Sequence, residues 1–187
     1  MKKVILILLP LLIITACNNN NPASSNEENT SWVFVANEGS FGASNGSISM
    51  INDFGDVYET DAIGDVVQSL AVYDNKLIVI VNNSHKIKFY DITTDGLAMP
   101  GIEVSTNESS PREMVAVDGH IYFTNWNSSD VKVLNLETYN IDHSIPVGVM
   151  PEGIHTDGST IWVANSGGTT VSEIDIATHQ VTTTHEV

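Results

Sequence analysis

Ile161-Trp162-Val163-Ala164-Asn165, followed across a Gly-Gly turn by Val171-Ser172-Glu173-Ile174-Asp175, decides how this chain folds. The first segment is an unbroken apolar run that closes on Asn, and the second alternates and closes on Asp; both read as short strands. The same pair occurs three more times. The other apolar runs are Trp32-Val33-Phe34-Val35-Ala36-Asn37, Ile78-Val79-Ile80-Val81-Asn82 and Ile121-Tyr122-Phe123-Thr124-Asn125. Their alternating companions are Ile48-Ser49-Met50-Ile51-Asn52, Ile87-Lys88-Phe89-Tyr90-Asp91 and Val131-Lys132-Val133-Leu134-Asn135. The run-ending Asn residues lie 45, 43 and 40 residues apart, and the companions end 39, 44 and 40 apart. Two anchors with one period define a structural repeat.

A third element precedes three of the blocks, at Val67 to Val72, Pro111 to Gly119 and Pro151 to Gly158. Its Asp118-Gly119 and Asp157-Gly158 pairs carry hairpin chemistry, because Gly supplies the positive φ of a tight turn. A weaker strand closes each unit, at Val57 to Thr60, Ile102 to Ser105, Ile141 to Ile145 and Val181 to Thr184. Four short strands in 40 to 45 residues make the blade of a β-propeller, so the expected fold is all-β with four-stranded antiparallel blades. The repeats divide as 32–73, 74–117, 118–157 and 158–187, the first lacking its inner strand. Ile161 to Ala164 is apolar on both faces, as in a sheet sandwiched between two others. A β-sandwich predicts no such recurrence.

The run from Pro151-Glu152-Gly153-Ile154 through Ile161 to Asp175 resembles the YVTN-type β-propeller repeat, less closely at Pro111 to Asn135 and loosely at Val67 to Asp91. That resemblance implies an exported propeller, as a rule seven-bladed, and a relation to surface lipoproteins of Gram-negative bacteria that bind small ligands. Propellers that capture cobalamin above an outer-membrane transporter are one such group. Seven blades would need roughly 300 residues, so the 187 residues here read as a truncated frame or a half-propeller, with a four-bladed ring as the alternative. An uncapped arc would expose an apolar blade face and self-associate.

Residues 1–16 read as a secretory signal: Lys2 and Lys3, then an apolar run from Val4 that is too short for a permanent span. Ile14-Thr15-Ala16-Cys17 resembles a bacterial lipobox, which makes Cys17 the expected lipidation site and the outer membrane the expected location. Residues 17–31 are a polar Asn/Ser-rich tether. With 7 Lys+Arg against 23 Asp+Glu the chain carries a formal charge of -16, which argues against nucleic acid and against charge-driven membrane binding. The membrane is reached through the lipid alone. A single cysteine permits neither an internal disulfide nor a CxxC site.

By the resemblance, ligand-facing loops join the second strand to the third and one blade to the next. They carry Glu38, Phe41, His85, Arg112, Trp126, Asn127 and Glu152 toward one surface. Trp126 between polar neighbours suits a ligand with a flat apolar part and a polar rim. Each has a plainer role: Trp126 as a plug between blades, Phe41 as an exposed loop tip, His85 as a solvated turn residue, Arg112 as the ion-pair partner of adjacent Glu113, and Glu38 and Glu152 as solvated charges. The run-ending Asn residues read as turn formers. The acidic group Asp53, Asp56, Glu59, Asp61 and Asp65 lacks calcium-loop spacing and reads as a solvated turn region.

No GxSxG, P-loop, Rossmann or HExxH pattern occurs, and the six His show no metal-ligand spacing. No catalytic residue, metal or cofactor is assigned. The expected function is non-catalytic binding of a small molecule or an envelope protein. The alternatives are an enzyme on the same scaffold, lactonase-like or quinone-dependent dehydrogenase-like, and a passive adhesion module.

Overall fold

The computed structural model describes residues 31–187, and Cys17, the signal and most of the tether lie outside them. The first sheet holds β1 (Trp32–Asn37), β2 (Ser47–Asn52) and β3 (Val57–Glu59). The second holds β4 (Val67–Tyr73), β5 (Lys76–Val81), β6 (Lys86–Thr93), the short β7 (Gly96–Leu97) and β8 (Ile102–Ser105), with β7 and β8 sharing the outer edge of β6. The third runs β9 (Pro111–Val117), β10 (His120–Asn125), β11 (Asp130–Asn135), β12 (Ile141–Pro146). The fourth runs β13 (Pro151–Thr156), β14 (Thr160–Asn165), β15 (Thr170–Asp175), β16 (Gln180–Glu186). Every pairing is antiparallel between chain neighbours, apart from β6 with β8, and no helix occurs among the described residues. The sheets are offset by one strand from the sequence repeats, since β4, β9 and β13 each open a sheet.

The sheets stack face to face in chain order, with one apolar cluster in each gap. Ile48, Val67, Leu77 and Val79 fill the first gap, Ile80, Phe89, Ile121 and Phe123 the second, and Tyr122, Val133, Ile161 and Ile174 the third. Sheets covered on both faces need apolar side chains at successive positions, which is why β5 and the body of β10 are buried almost throughout. β14 differs from the sequence expectation. Ile161 and Val163 are buried against the third sheet, but Ala164 is exposed and Trp162 half-buried, because no described sheet covers their face. Val33 and Val35 are likewise exposed at the free face of the first sheet.

Register corrects one part of the repeat alignment. Asn37 pairs with Ser47, Asn125 with Asp130 and Asn165 with Thr170, but Val81 holds that place in the second sheet, opposite Lys86. Asn82 corresponds to Trp126 and Ser166. Their backbone N–H groups donate to the carbonyls of Val66, Ser110 and Met150 respectively. A one-residue slip exchanges the two faces of a strand, and the uniformly apolar Leu77 to Val81 carries no alternation that would reveal it.

None of the run-ending Asn residues has a positive φ, but two of them open turns, the Asn82 carbonyl accepting the His85 N–H at 3.0 Å and the Asn165 carbonyl the Gly168 N–H at 3.0 Å. Asn125 is fully buried; its Oδ1 accepts from Ser109 Oγ at 2.5 Å and its Nδ2 donates to the carbonyl of Phe123 at 3.0 Å. Asn82 Nδ2 donates to the carbonyl of Pro111 at 2.7 Å, tying the second sheet to the third. Buried side-chain amides serve here as clasps that satisfy strand carbonyls and a buried hydroxyl.

Candidate functional site

The two sets of loops come together at one end of the stacked sheets. Each loop after β5, β10 and β14 is zipped by backbone hydrogen bonds to the segment leading into its own sheet: Asn83 N–H to the Asp65 carbonyl, Asn127 to Ser109, Gly167 to Val149. The residues before the inner strands, Val66, Ser110 and Met150, all have φ between 48° and 61°. That left-handed step turns the chain from the loop into the strand.

Inside this rim the inner strands carry a shared irregularity. Between Val67 and Ser69, between Pro111 and Met114, and between Pro151 and Ile154, each has one more residue than the strand it pairs with. Such bulges redirect side chains. Here they line up Gln68, Arg112 and Glu152, which occupy one position of three neighbouring strands. Arg112 Nε donates to both Glu152 oxygens at 3.1 Å, Nη2 donates to Oε1 at 2.9 Å and Nη1 to Gln68 Oε1 at 2.9 Å. Trp126 covers the guanidinium at 4.0 Å from its ring centroid. The planar guanidinium suits both contacts, a forked bond to a carboxylate and stacking on an indole.

Arg112 therefore pairs with Glu152 one sheet away. Adjacent Glu113 instead accepts from Ser69 Oγ at 3.0 Å, on the same strand that supplies Gln68 to Arg112. Glu152 is likewise held in an ion pair and is not a freely solvated charge. His85 is also more than a solvated turn residue: its Nδ1 accepts the Ser110 N–H at 3.1 Å and its carbonyl accepts the Thr106 N–H at 2.9 Å. Asn127 Nδ2 donates to the Glu108 carbonyl at 2.8 Å. Glu38 and Phe41 stay on the loop after β1, with Phe41 80% exposed. Asp65 leaves the expected solvated acidic group. It is buried, and its carboxylate accepts the Gly42 N–H at 3.0 Å and Asn83 Nδ2 at 2.6 Å, fixing the Phe41 loop.

Arg112, Trp126 and Glu152 are thus brought into contact, while Asn127 follows Trp126 on the loop after β10, His85 lies on the loop after β5, and Glu38 and Phe41 share the loop after β1. Gln68 was missed, although Val67-Gln68, Pro111-Arg112 and Pro151-Glu152 align in the repeat. The Trp126 indole N–H is buried with no acceptor among the described residues. Those residues contain no group of three or more His, Cys, Asp or Glu arranged to hold a metal.

Cavities lie at the opposite end, between the second and third sheets. One of about 210 Å³ has Tyr73, Ile78 and Leu136 as apolar wall and Lys76 with Asp91 at its edge. Asp91 pairs with Lys76 and raises its ammonium above the ordinary lysine value. A neighbouring one of about 360 Å³ reaches Asp118, His120 and Glu137.

No family model and no curated protein matches the sequence. Solved structures do match in fold. A putative 6-phosphogluconolactonase from Bacteroides uniformis is similar at 11% identity and TM-score 0.68, over 83% of this chain and 53% of that one. A streptogramin B lyase is similar at 15% identity and TM-score 0.63, over 83% and 59%. The WD40 β-propeller domain of Doa1 is similar at 16% identity and TM-score 0.60, over 75% and 47%. The fold is that of β-propeller blades. The chain spans about half the length of these structures. At such identities the likeness concerns fold, and the group includes both enzymes and a WD40 domain.

Proposed function

We propose that this chain is the binding part of a non-catalytic, lipid-anchored propeller of the bacterial cell envelope, and that it takes its ligand or partner on the rim around Trp126. The observation that carries this reading is the prepared surface there. Trp126 is fixed on Arg112, and Arg112 is fixed by Glu152 and Gln68. Exposed Phe41 stands on a loop tied down through Asp65. Rigid aromatic and polar groups bind with little loss of side-chain freedom. The ligand that suits them has a flat apolar part and polar edges, and cobalamin is the first probe by analogy with transporter-linked propellers. The formal charge of -16 favours cationic or metal-containing ligands and basic protein partners, more weakly as salt rises. Lipidation at Cys17 would hold the protein to the outer membrane.

The test is a ligand-observed NMR screen of the monodisperse full chain against corrinoids, haems, flavins and polyamines, run beside crosslinking to envelope proteins. Saturable binding that weakens with salt supports the proposal. A silent screen together with an empty crosslinking experiment refutes it.

A further inference from the structure

Three of the six histidines meet at the end of the third and fourth sheets that lies away from the rim. His120 opens β10, His143 lies in β12 and His179 sits in the turn between β15 and β16. The rings of His143 and His179 stack with centroids 4.2 Å apart and planes 26° from parallel, and His120 lies 6.3 Å from His179. Because His143 belongs to the third sheet and His179 to the fourth, the stack bridges the joint between them. Beneath it, the Tyr122 hydroxyl is 3.0 Å from His179 Nδ1. Burial pushes that hydroxyl up to about 12, so it keeps its proton and donates to a neutral His179 whose own proton is on Nε2. His120 Nδ1 lies 2.8 Å from the Asp118 carbonyl, which only a protonated ring nitrogen can bond.

The titratable and charged groups around His179 are His120 and Tyr122 on β10, His143 on β12, Asp118 in the turn after β9 and Asp175 on β15. Burial first, then His143 and His120, hold His179 below the ordinary histidine value, and Asp175 offsets them only in part. Neutral stacked rings attract, whereas two imidazoliums at this distance repel and His179 must also reverse its bond with Tyr122.

We propose that the His143–His179 stack, with His120 at its side, is a proton-sensitive joint that fastens the fourth sheet to the third when neutral and loosens it when charged. The folded value of His179 is depressed, so the unfolded chain takes up the proton first. The contribution is present in full above about pH 6.5 and is lost as pH falls through the folded value. The fourth sheet carries Glu152, so loosening it also slackens the hold on Arg112.

Hydrogen exchange on the full chain at pH 7.5 and pH 5.5, corrected for the intrinsic chemical rate, tests this. Amides of residues 151–186 are expected to exchange about tenfold faster at pH 5.5 relative to those of residues 76–91, as the fourth sheet opens more often than the second. His143→Gln at an exposed position and His179→Asn, which tolerates the φ of 53° found there, should each remove most of that acceleration. Equal acceleration in both variants, none in the wild type, or a His179 ring that titrates at or above the ordinary histidine value would overturn the proposal.

Discussion

Arg112 and Glu152 occupy one position in adjacent inner strands, and the guanidinium of the first binds both carboxylate oxygens of the second. Their side chains are 18% and 30% exposed, so the pair is partly shielded from water and salt. Removing Glu152 leaves a half-buried cation held only by Gln68 and Trp126. Glu152→Ala is expected to cost about 1–2 kcal/mol in urea unfolding, less than the loss of a fully buried pair. Arg112→Lys should cost nearly as much as Arg112→Ala, because an ammonium cannot make the fork or the stack. A double-mutant cycle with no coupling between the two positions would remove the pair from this account.

The clasp Asn125 makes two predictions with different sizes. Asn125→Ala strands the Ser109 hydroxyl and opens a small void, for an expected loss of about 2–3 kcal/mol. Asn82 is slightly less enclosed, at 7% exposure, and Asn82→Ala should cost about 1 kcal/mol. The order of the two midpoints in one denaturant series is the check.

Gly148 approaches Asn165 so closely that an added Cβ would lie 2.5 Å from Asn165 Cγ and 2.6 Å from its Nδ2. That side chain is buried and bonded to Thr170 and Ser172, so it cannot yield freely. Gly148→Ala is expected to destabilise by about 1–3 kcal/mol. The control is Gly119→Ser, which meets no atoms but has a φ of 71°, and should lose only about 1 kcal/mol from that strain.

Alkaline titration follows from Tyr90 and Tyr122, both pushed up to about 12 mainly by burial. A raised folded value means that the unfolded chain loses these protons first. Stability attributable to them is complete below about pH 10 and declines as pH rises toward 12. Ultraviolet titration of the native protein should show two phenolates appearing only near pH 12, and Tyr122→Phe should remove one.

Cys17→Ser tests the anchor. The wild type is expected in the membrane fraction with the added mass of a lipid, and the variant in neither state.

Much of the fold was legible because sheets enforce a period, and the paired anchors at Asn165 and Asp175 repeated it four times. The register at Val81 was not, since a strand buried on both faces shows no alternation to read. At the site, Trp126 could be placed on its loop and Glu152 beside the loop that leads into β13 from sequence, although Glu152 itself is the second residue of that strand. Their contact with Arg112 and Gln68 could not, because it depends on three bulges, and an extra residue in a strand has no compositional signature. Asp65 was misread for a related reason. An acidic run looks solvated until the Gly42 and Asn83 donors are seen to enclose one member.

The central claim is that binding occurs on the Trp126 rim and not in the cavities at the other end of the sheets. The most direct measurement is the affinity of the strongest ligand in the screen, cyanocobalamin first, for wild type, Trp126→Leu and Tyr73→Ala. The account predicts that Trp126→Leu weakens binding by about tenfold or more, the loss of one desolvated aromatic contact, while Tyr73→Ala leaves it within about twofold. Binding that ignores Trp126 and fails with Tyr73→Ala would contradict it.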